Sequence, residues 1–153
     1  MRKNTKKKEG VNDMREKSCG AIVYKEEGGI LKFLLVYQSN GHHSFPKGHM
    51  ESGETEVETA IREIKEETNL DVELDTDFRC EISYIIETKN IWKDSVYFLA
   101  TPITYNLINQ EGEITECAWD DYETTMEKLE YENIKEVFQK AYDYIKNKKS
   151  IDK

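Results

Sequence analysis

Cysteine is scarce: the 153-residue chain has three, Cys19, Cys80 and Cys117, with no C-x-x-C spacing among them. An odd number without paired spacing argues against a disulfide framework and a thiolate zinc site, and fits a reduced, cytoplasmic setting. No run of 18 apolar residues and no signal-peptide core is present, so no membrane partner is expected. Positive charge is in deficit: 22 Lys and Arg face 31 Asp and Glu, a net charge of −9. So acidic a chain is a poor generic binder of nucleic acid, and no stable nucleic-acid partner is expected. It can still bind phosphates if metal ions bring the positive charge. Internal repeats are absent, and the length suits one domain with a proper core.

Basic residues gather at the N-terminus. Arg2, Lys3, Lys6, Lys7 and Lys8 fall in a stretch with almost no apolar content. Residues 1–16 therefore read as a mobile basic tail, 17–148 as a single domain and 149–153 as a C-terminal tail. A merely solvated segment and an RNA-binding arm are the two readings of that tail.

The most informative stretch is Gly48 to Leu70, GHMESGETEVETAIREIKEETNL. Gly48 and Gly53 break its first part. Thr55 with Glu58 three residues on is a capping box, which starts a helix near Glu56. Val57, Ala60, Ile61 and Ile64 recur at helical spacing and predict a core-facing stripe. Beside it stand Glu63, Glu66 and Glu67, which converge one turn apart. Asn69 tolerates the left-handed conformation that ends helices. Clustered acids near a helix C-terminus oppose the macrodipole unless a cation compensates them. A hard divalent ion such as Mg²⁺, which takes carboxylate oxygens, would do so. For a Glu-rich helix taken alone, a solvated acidic face paired with Arg62 and Lys65 is the simpler reading.

The wider spacing reverses that preference. Gly48, Glu54, Arg62-Glu63-Ile64, Glu66-Glu67 and Leu70 stand at the intervals G-x5-E-x7-R-E-U-x-E-E-x-G-U, where U is bulky and aliphatic. The stretch resembles the Nudix box and departs from it only at Asn69, where the family has Gly. The resemblance implies an α/β fold, an α/β/α sandwich with a mixed sheet between helices. It also implies a Mg²⁺-dependent hydrolase, with Mn²⁺ as a substitute, of a nucleoside diphosphate linked to another group. Metal ligands are then expected at Glu63, Glu66, Glu67 and the carbonyl oxygen of Gly48. Glu54 is expected to pair with Arg62 and hold the loop to the helix.

The flanks carry strand and helix patterns. Cys19–Tyr24 and Leu31–Gln38 around the turn Lys25–Gly29 form a hairpin pattern, and Ser39–Gly48 is a polar loop. Val72–Leu74, Phe78–Glu87, Ile91–Thr104 and Ile114–Asp120 read as strands. A short helix is expected within Asp121–Glu130, and a final one from about Glu132 to Lys148, with Ile134, Val137, Phe138, Ala141 and Ile145 as its stripe.

Phe45-Pro-Lys-Gly-His49, Cys19-Gly-Ala21, Tyr84 and Lys93 before Val96-Tyr-Phe-Leu-Ala100 resemble the asymmetrical diadenosine tetraphosphate hydrolases. That branch implies a small nucleotide substrate cleaved to ATP and AMP by attack of water on phosphorus. RNA 5′-pyrophosphohydrolases, other nucleoside-diphosphate hydrolases and a non-catalytic nucleotide sensor are the alternatives. Lys47 can point at the phosphates, and Lys93, His42 and His43 are further candidates. By resemblance Tyr84 supplies a stacking face for adenine, and Tyr131 is the candidate for the other. Glu63 and Glu113 are the candidates for general base, with Glu67 a third catalytic carboxylate. The bland readings are a strand-end lysine for Lys93, loop residues for the histidines and packing for Tyr131.

Overall fold

The computed structural model describes residues 14–151, with side chains through residue 149. The tail reading of residues 1–13 lies outside the described residues. The elements are β1 (Arg15–Glu27), β2 (Ile30–Gln38), β3 (His43–Ser44), β4 (Lys47–His49), α1 (Glu56–Thr68), β5 (Val72–Ile86), β6 (Ile91–Pro102), β7 (Ile114–Asp120), α2 (Tyr122–Lys128) and α3 (Glu132–Ile151).

The strands run in the order β3-β2-β1-β6-β5, with β4 paired to β1 and β7 to β2. Strand β1 organises the sheet. It pairs in parallel with β6 from Arg15 to Val23, and antiparallel with β2 from Tyr24 to Glu27. The sheet is therefore mixed, and alternation along its strands sorts side chains to two faces. Cys19, Ala21, Val23, Val96 and Phe98 meet Ala60 and Ile64 of α1 on one face. Ile22, Phe33, Leu35, Tyr97 and Leu99 meet Val137, Phe138, Ala141 and Ile145 of α3 on the other. This is the α/β/α sandwich that the resemblance implied. No helix among the described residues is long and apolar enough to cross a membrane.

Four expectations shift. Strand β1 begins at Arg15, inside the segment read as tail, because Arg15 grips Asp94 through two hydrogen bonds of 3.0 and 2.8 Å and lies over Trp92. Helix α3 continues past Lys148 to Ile151. The two strands read in 72–87 are one, β5, whose register jumps between Asp75 and Arg79. The intervening residues bulge, which turns Phe78 into the α3-side core against Tyr144. Ile61 leaves the predicted stripe and is 41 % exposed, since one residue on from Ala60 is a rotation of about 100° away from the core.

Candidate active site

The sequence around α1 builds the site in steps. Thr55 caps the helix, accepting from the Glu58 N–H while Glu58 returns a bond to the Thr55 N–H. At the other end Asn69 sits at φ 71°, in the left-handed conformation, and closes the helix. Arg62 then ties the preceding loop to the helix. Its Nε donates to Glu54 Oε2 at 2.6 Å, its Nη2 to Glu54 Oε1 at 3.0 Å and to the His49 carbonyl at 2.9 Å. Glu54 also accepts from the Thr59 hydroxyl at 2.8 Å and the Glu51 N–H at 2.9 Å. The Arg62 hydrogen bond, ahead of the others, holds the Glu54 carboxyl down at about 2. Glu54 and Arg62 thus hold the loop to α1.

The same guanidinium reaches inward. Its Nη1 donates to Glu63 Oε2 at 2.8 Å and to Glu66 Oε2 at 3.1 Å. Gly48 faces Glu63 so closely that a Cβ there would stand 2.0 Å from Glu63 Oε1. Strand β4 itself lies tight on β1, because a Cβ on Gly20 would meet the Pro46 carbonyl at 2.0 Å. Two glycines therefore let the Lys47-Gly48 backbone settle between β1 and the carboxylates of α1.

Glu67 continues the Ala60–Ile64 stripe and is only 6 % exposed. Burial, then the charge of Glu63, pushes its carboxyl up to about 8, against the pull of the Lys47 N–H at 3.2 Å. Burial also raises Glu63, with Arg62 opposing. The loop after β6 supplies Glu113. Gln110 N–H donates to the Glu67 carbonyl at 3.3 Å, and the Glu113 carbonyl accepts from Ser39 N–H at 2.9 Å, so the loop is tied to both α1 and β2.

These groups line one cavity of about 460 Å³, which gathers Glu63, Glu66, Glu67 and Glu113 with Gly48. Lys47 and Lys93 line it as well. Lys93 is 7 % exposed, so the strand-end reading of it is replaced by a buried ammonium. Burial first, and then the charge of Lys47, lowers its pKa. Lys47 keeps some exposure as a residue, but its ammonium is enclosed, and that burial lowers its pKa against Glu67 and Glu63.

Three further residues stand in this wall. His49 lines the cavity with its Nε2 at 3.4 Å from Lys93 Nζ. Ser18 Oγ and Gln110 Oε1 are buried in the cavity wall without a hydrogen-bond partner among the described residues. Nothing in a lone Ser or Gln signals this, because the orphaned oxygen arises from long-range packing.

Among the described residues no three His, Cys, Asp or Glu side chains already stand as a coordination shell. The donor chemistry nonetheless fits a hard cation. The wall offers several carboxylate oxygens, and Glu63 and Glu67 repel one another in a buried setting.

A second cavity of about 600 Å³ adjoins it, with Lys47 and Gln38 in both walls. Tyr84, Tyr131, His42 and His43 line this one, beside Phe45 and Tyr97. His42 Nδ1 pairs with Glu130 at 2.7 Å, and its ring centroid lies 6.1 Å from that of Tyr131. The His43 ring packs on Tyr37 at 4.5 Å. Tyr84 lines this cavity, and its hydroxyl lies 3.4 Å from Ser95 Oγ. His42, His43 and Tyr131 therefore belong to the second cavity, apart from Glu63, Glu66, Glu67 and Glu113.

The NUDIX domain family matches residues 14–141. The asymmetrical bis(5′-nucleosyl)-tetraphosphatase of Mus musculus is 30% identical over 144 residues, covering 86% of this chain and 97% of the relative. That of Caenorhabditis elegans is 31% identical over 118 residues, covering 75% and 86%. Among solved structures, a C. elegans Ap4A hydrolase in a binary complex superposes with a TM-score of 0.80 at 26% identity, covering 86% of this chain and 98% of that one.

Proposed function

This chain belongs to the NUDIX domain family, and on that premise we propose that it is a Nudix hydrolase that cleaves diadenosine tetraphosphate to ATP and AMP. The observation that carries the reading is the pair of joined cavities. One is lined by carboxylates and two ammoniums, the other by tyrosines, and Lys47 stands in the wall of both. A polyphosphate in the first would keep its adenosine in the second.

Mg²⁺, when bound, would be held by Glu63, Glu66, Glu67 and Gly48, and it would supply charge neutralisation and a more acidic water. The chain's own groups do the rest. Water attacks one phosphorus of the bridge, the bond to a bridging oxygen breaks, and that oxygen leaves as a phosphate of the released nucleotide. A carboxylate takes the water's proton. Glu63, Glu67 and Glu113, which share the cavity, are the groups in place to do so. Lys47 and Lys93 meet the phosphate oxygens, and their burial makes each charge count for more than it would in water. Tyr84 and Tyr131 offer faces to the base.

The test is product analysis on diadenosine tetraphosphate with Mg²⁺ in ¹⁸O-water, run beside triphosphorylated RNA and a diphosphoinositol polyphosphate. Equimolar ATP and AMP are expected, with ¹⁸O in one product only. Release of two ADP, or faster turnover of the RNA or of the base-free substrate, would overturn the assignment.

A further inference from the structure

Helix α1 is closed by Asn69, the position at which this chain departs from the box it resembles. A glycine would take the left-handed backbone there freely, and Asn69 takes it at φ 71°. What asparagine adds is a side chain, and its Nδ2 donates to the Asn106 carbonyl at 2.9 Å. Asn106 lies in the loop that leads from β6 to Glu113. That loop is seamed to the end of α1. The last carbonyls of a helix lack partners within it, and the loop supplies some of them. Ile108 N–H donates to the Thr68 carbonyl at 3.1 Å, and Gln110 N–H to the Glu67 carbonyl at 3.3 Å. Leu107 packs against the core beneath α1. Glu113 itself lines the cavity with Glu63, Glu66 and Glu67. Among the described residues no hydrogen bond holds its carboxylate, so its place there depends on how the loop is held.

We propose that Asn69 is a positioning residue: its side chain clasps Asn106, fastens the loop to the end of α1 and so keeps Glu113 in the cavity with the carboxylates of that helix. The inference rests on the reading of this cavity as the hydrolytic site, and deepens it. Glycine at the same place would end the helix equally well and leave the loop to its backbone contacts alone. The clasp therefore serves the reaction rather than the helix. It also acts on turnover more than on binding. Lys47, Lys93 and Tyr84 stand on β4, β6 and β5, outside the loop, so loosening it leaves their contacts with a substrate in place. A carboxylate that must meet a reacting group in one geometry loses rate when its position spreads.

The experiment compares the wild type with Asn69→Gly and Asn69→Asp, each alone and combined with Glu113→Gln. Glycine keeps the left-handed end and loses the side chain, while aspartate keeps the shape and loses the N–H. Each single variant should lower kcat by about 3- to 10-fold, up to the effect of one lost hydrogen bond, with KM within about twofold. The Tm should stay within about 4 °C of the wild type. Glu113→Gln should lower kcat by more than either. In its background the Asn69 variants should change kcat by less than about twofold, because a clasp has no effect once the group it positions is gone. Hydrogen exchange should quicken at the Ile108 and Gln110 amides and stay as it was within α1. Wild-type kcat in the Asn69 variants, or unchanged exchange in the loop, would overturn the proposal. So would an equal loss of kcat with and without the Glu113 carboxylate, which is the mark of a merely structural residue. Full turnover by Glu113→Gln would overturn it too, since the clasp would then have nothing to position. The assay uses whichever substrate of the product-analysis panel the wild type cleaves fastest. Preference for the RNA or the base-free substrate thus fails the functional assignment and leaves this test in force, whereas cleavage of none overturns both.

Discussion

Replacing Glu67 by Gln separates the chemistry of the site from its stability. The side chain is 6 % exposed, and its carboxyl is pushed from 4.5 to about 8 by burial and by Glu63. An acid whose folded pKa is raised stabilises the fold fully below its unfolded value. That contribution is lost as pH rises through the folded value, here between about 4.5 and 8. The full shift corresponds to a ceiling of ~5 kcal/mol, and coupling to Glu63 and Lys47 brings the expected effect down to ~1–3 kcal/mol. Gln carries no such burden, and its carbonyl can keep the bond from the Lys47 N–H. In EDTA, Glu67→Gln should therefore match or exceed the wild type in stability at pH 8.5 and differ little at pH 5. Turnover with Mg²⁺ should nevertheless fall by about two orders of magnitude or more. Mg²⁺ should raise the Tm of the wild type more than that of the variant, because a ligand that binds only the folded state stabilises it in proportion to its affinity. The assays are urea unfolding across pH, thermal unfolding with and without Mg²⁺, and steady-state turnover. Wild-type turnover, or a variant that is clearly less stable at pH 8.5 in EDTA, would refute the reasoning.

Tyr84→Ala should weaken binding of diadenosine tetraphosphate by roughly 5- to 150-fold, the scale of one base–aromatic stack, and Tyr84→Phe should lose little. A base-free polyphosphate should be indifferent to both changes, and an equal loss on both substrates would make Tyr84 structural. Gly48→Ala should cut turnover by at least about 10-fold with a modest Tm change, because the new Cβ would stand 2.0 Å from Glu63 Oε1 and displace that carboxylate. Glu56, held at about 2 by Arg79 and then Lys17, stabilises the fold above its unfolded pKa. That stability goes as pH falls towards 2, so Glu56→Gln should cost ~1 kcal/mol at pH 7 after solvent screening and nothing near pH 2, as read by unfolding titrations.

Much of α1 was legible because its signals are local. The capping box, the stop at Asn69 and the convergence of Glu63 and Glu66 all depend on residues within a few turns of one another. Even there, spacing alone misled at Ile61, and the burial of Glu67 was passed over. Glu67 follows Ile64 by three residues and so falls on the core stripe, where its pKa rises. The bulged β5 reads as two strands in the sequence, since a register jump against β6 leaves no mark in periodicity. The second cavity joins Tyr84 on β5 to Tyr131 before α3, and only resemblance suggested that they serve one ligand. Ser18 and Gln110 carry no signal at all. A polar residue becomes informative when packing strips it of partners, and packing is not written in any short window.

The electrostatics of the first cavity explain why one site would take a metal and a phosphate together. Burial raises the pKa of Glu63 and Glu67 and lowers that of Lys47 and Lys93. Each charged group is thus held in a setting that disfavours its own charge, although groups of both signs share the same wall. The Glu67–Lys47 interaction relieves both partners, but burial outweighs it for each. A cation alone would settle the carboxylates and leave the ammoniums strained, while an anion alone would do the reverse. A divalent cation carrying a polyphosphate meets both needs at once. The affinity of the metal and of the substrate should therefore be linked: each should bind more tightly in the presence of the other, by the same factor. Measuring Mn²⁺ affinity with and without a non-hydrolysable dinucleotide gives that factor, and a value of one would show that the two charge sets act independently.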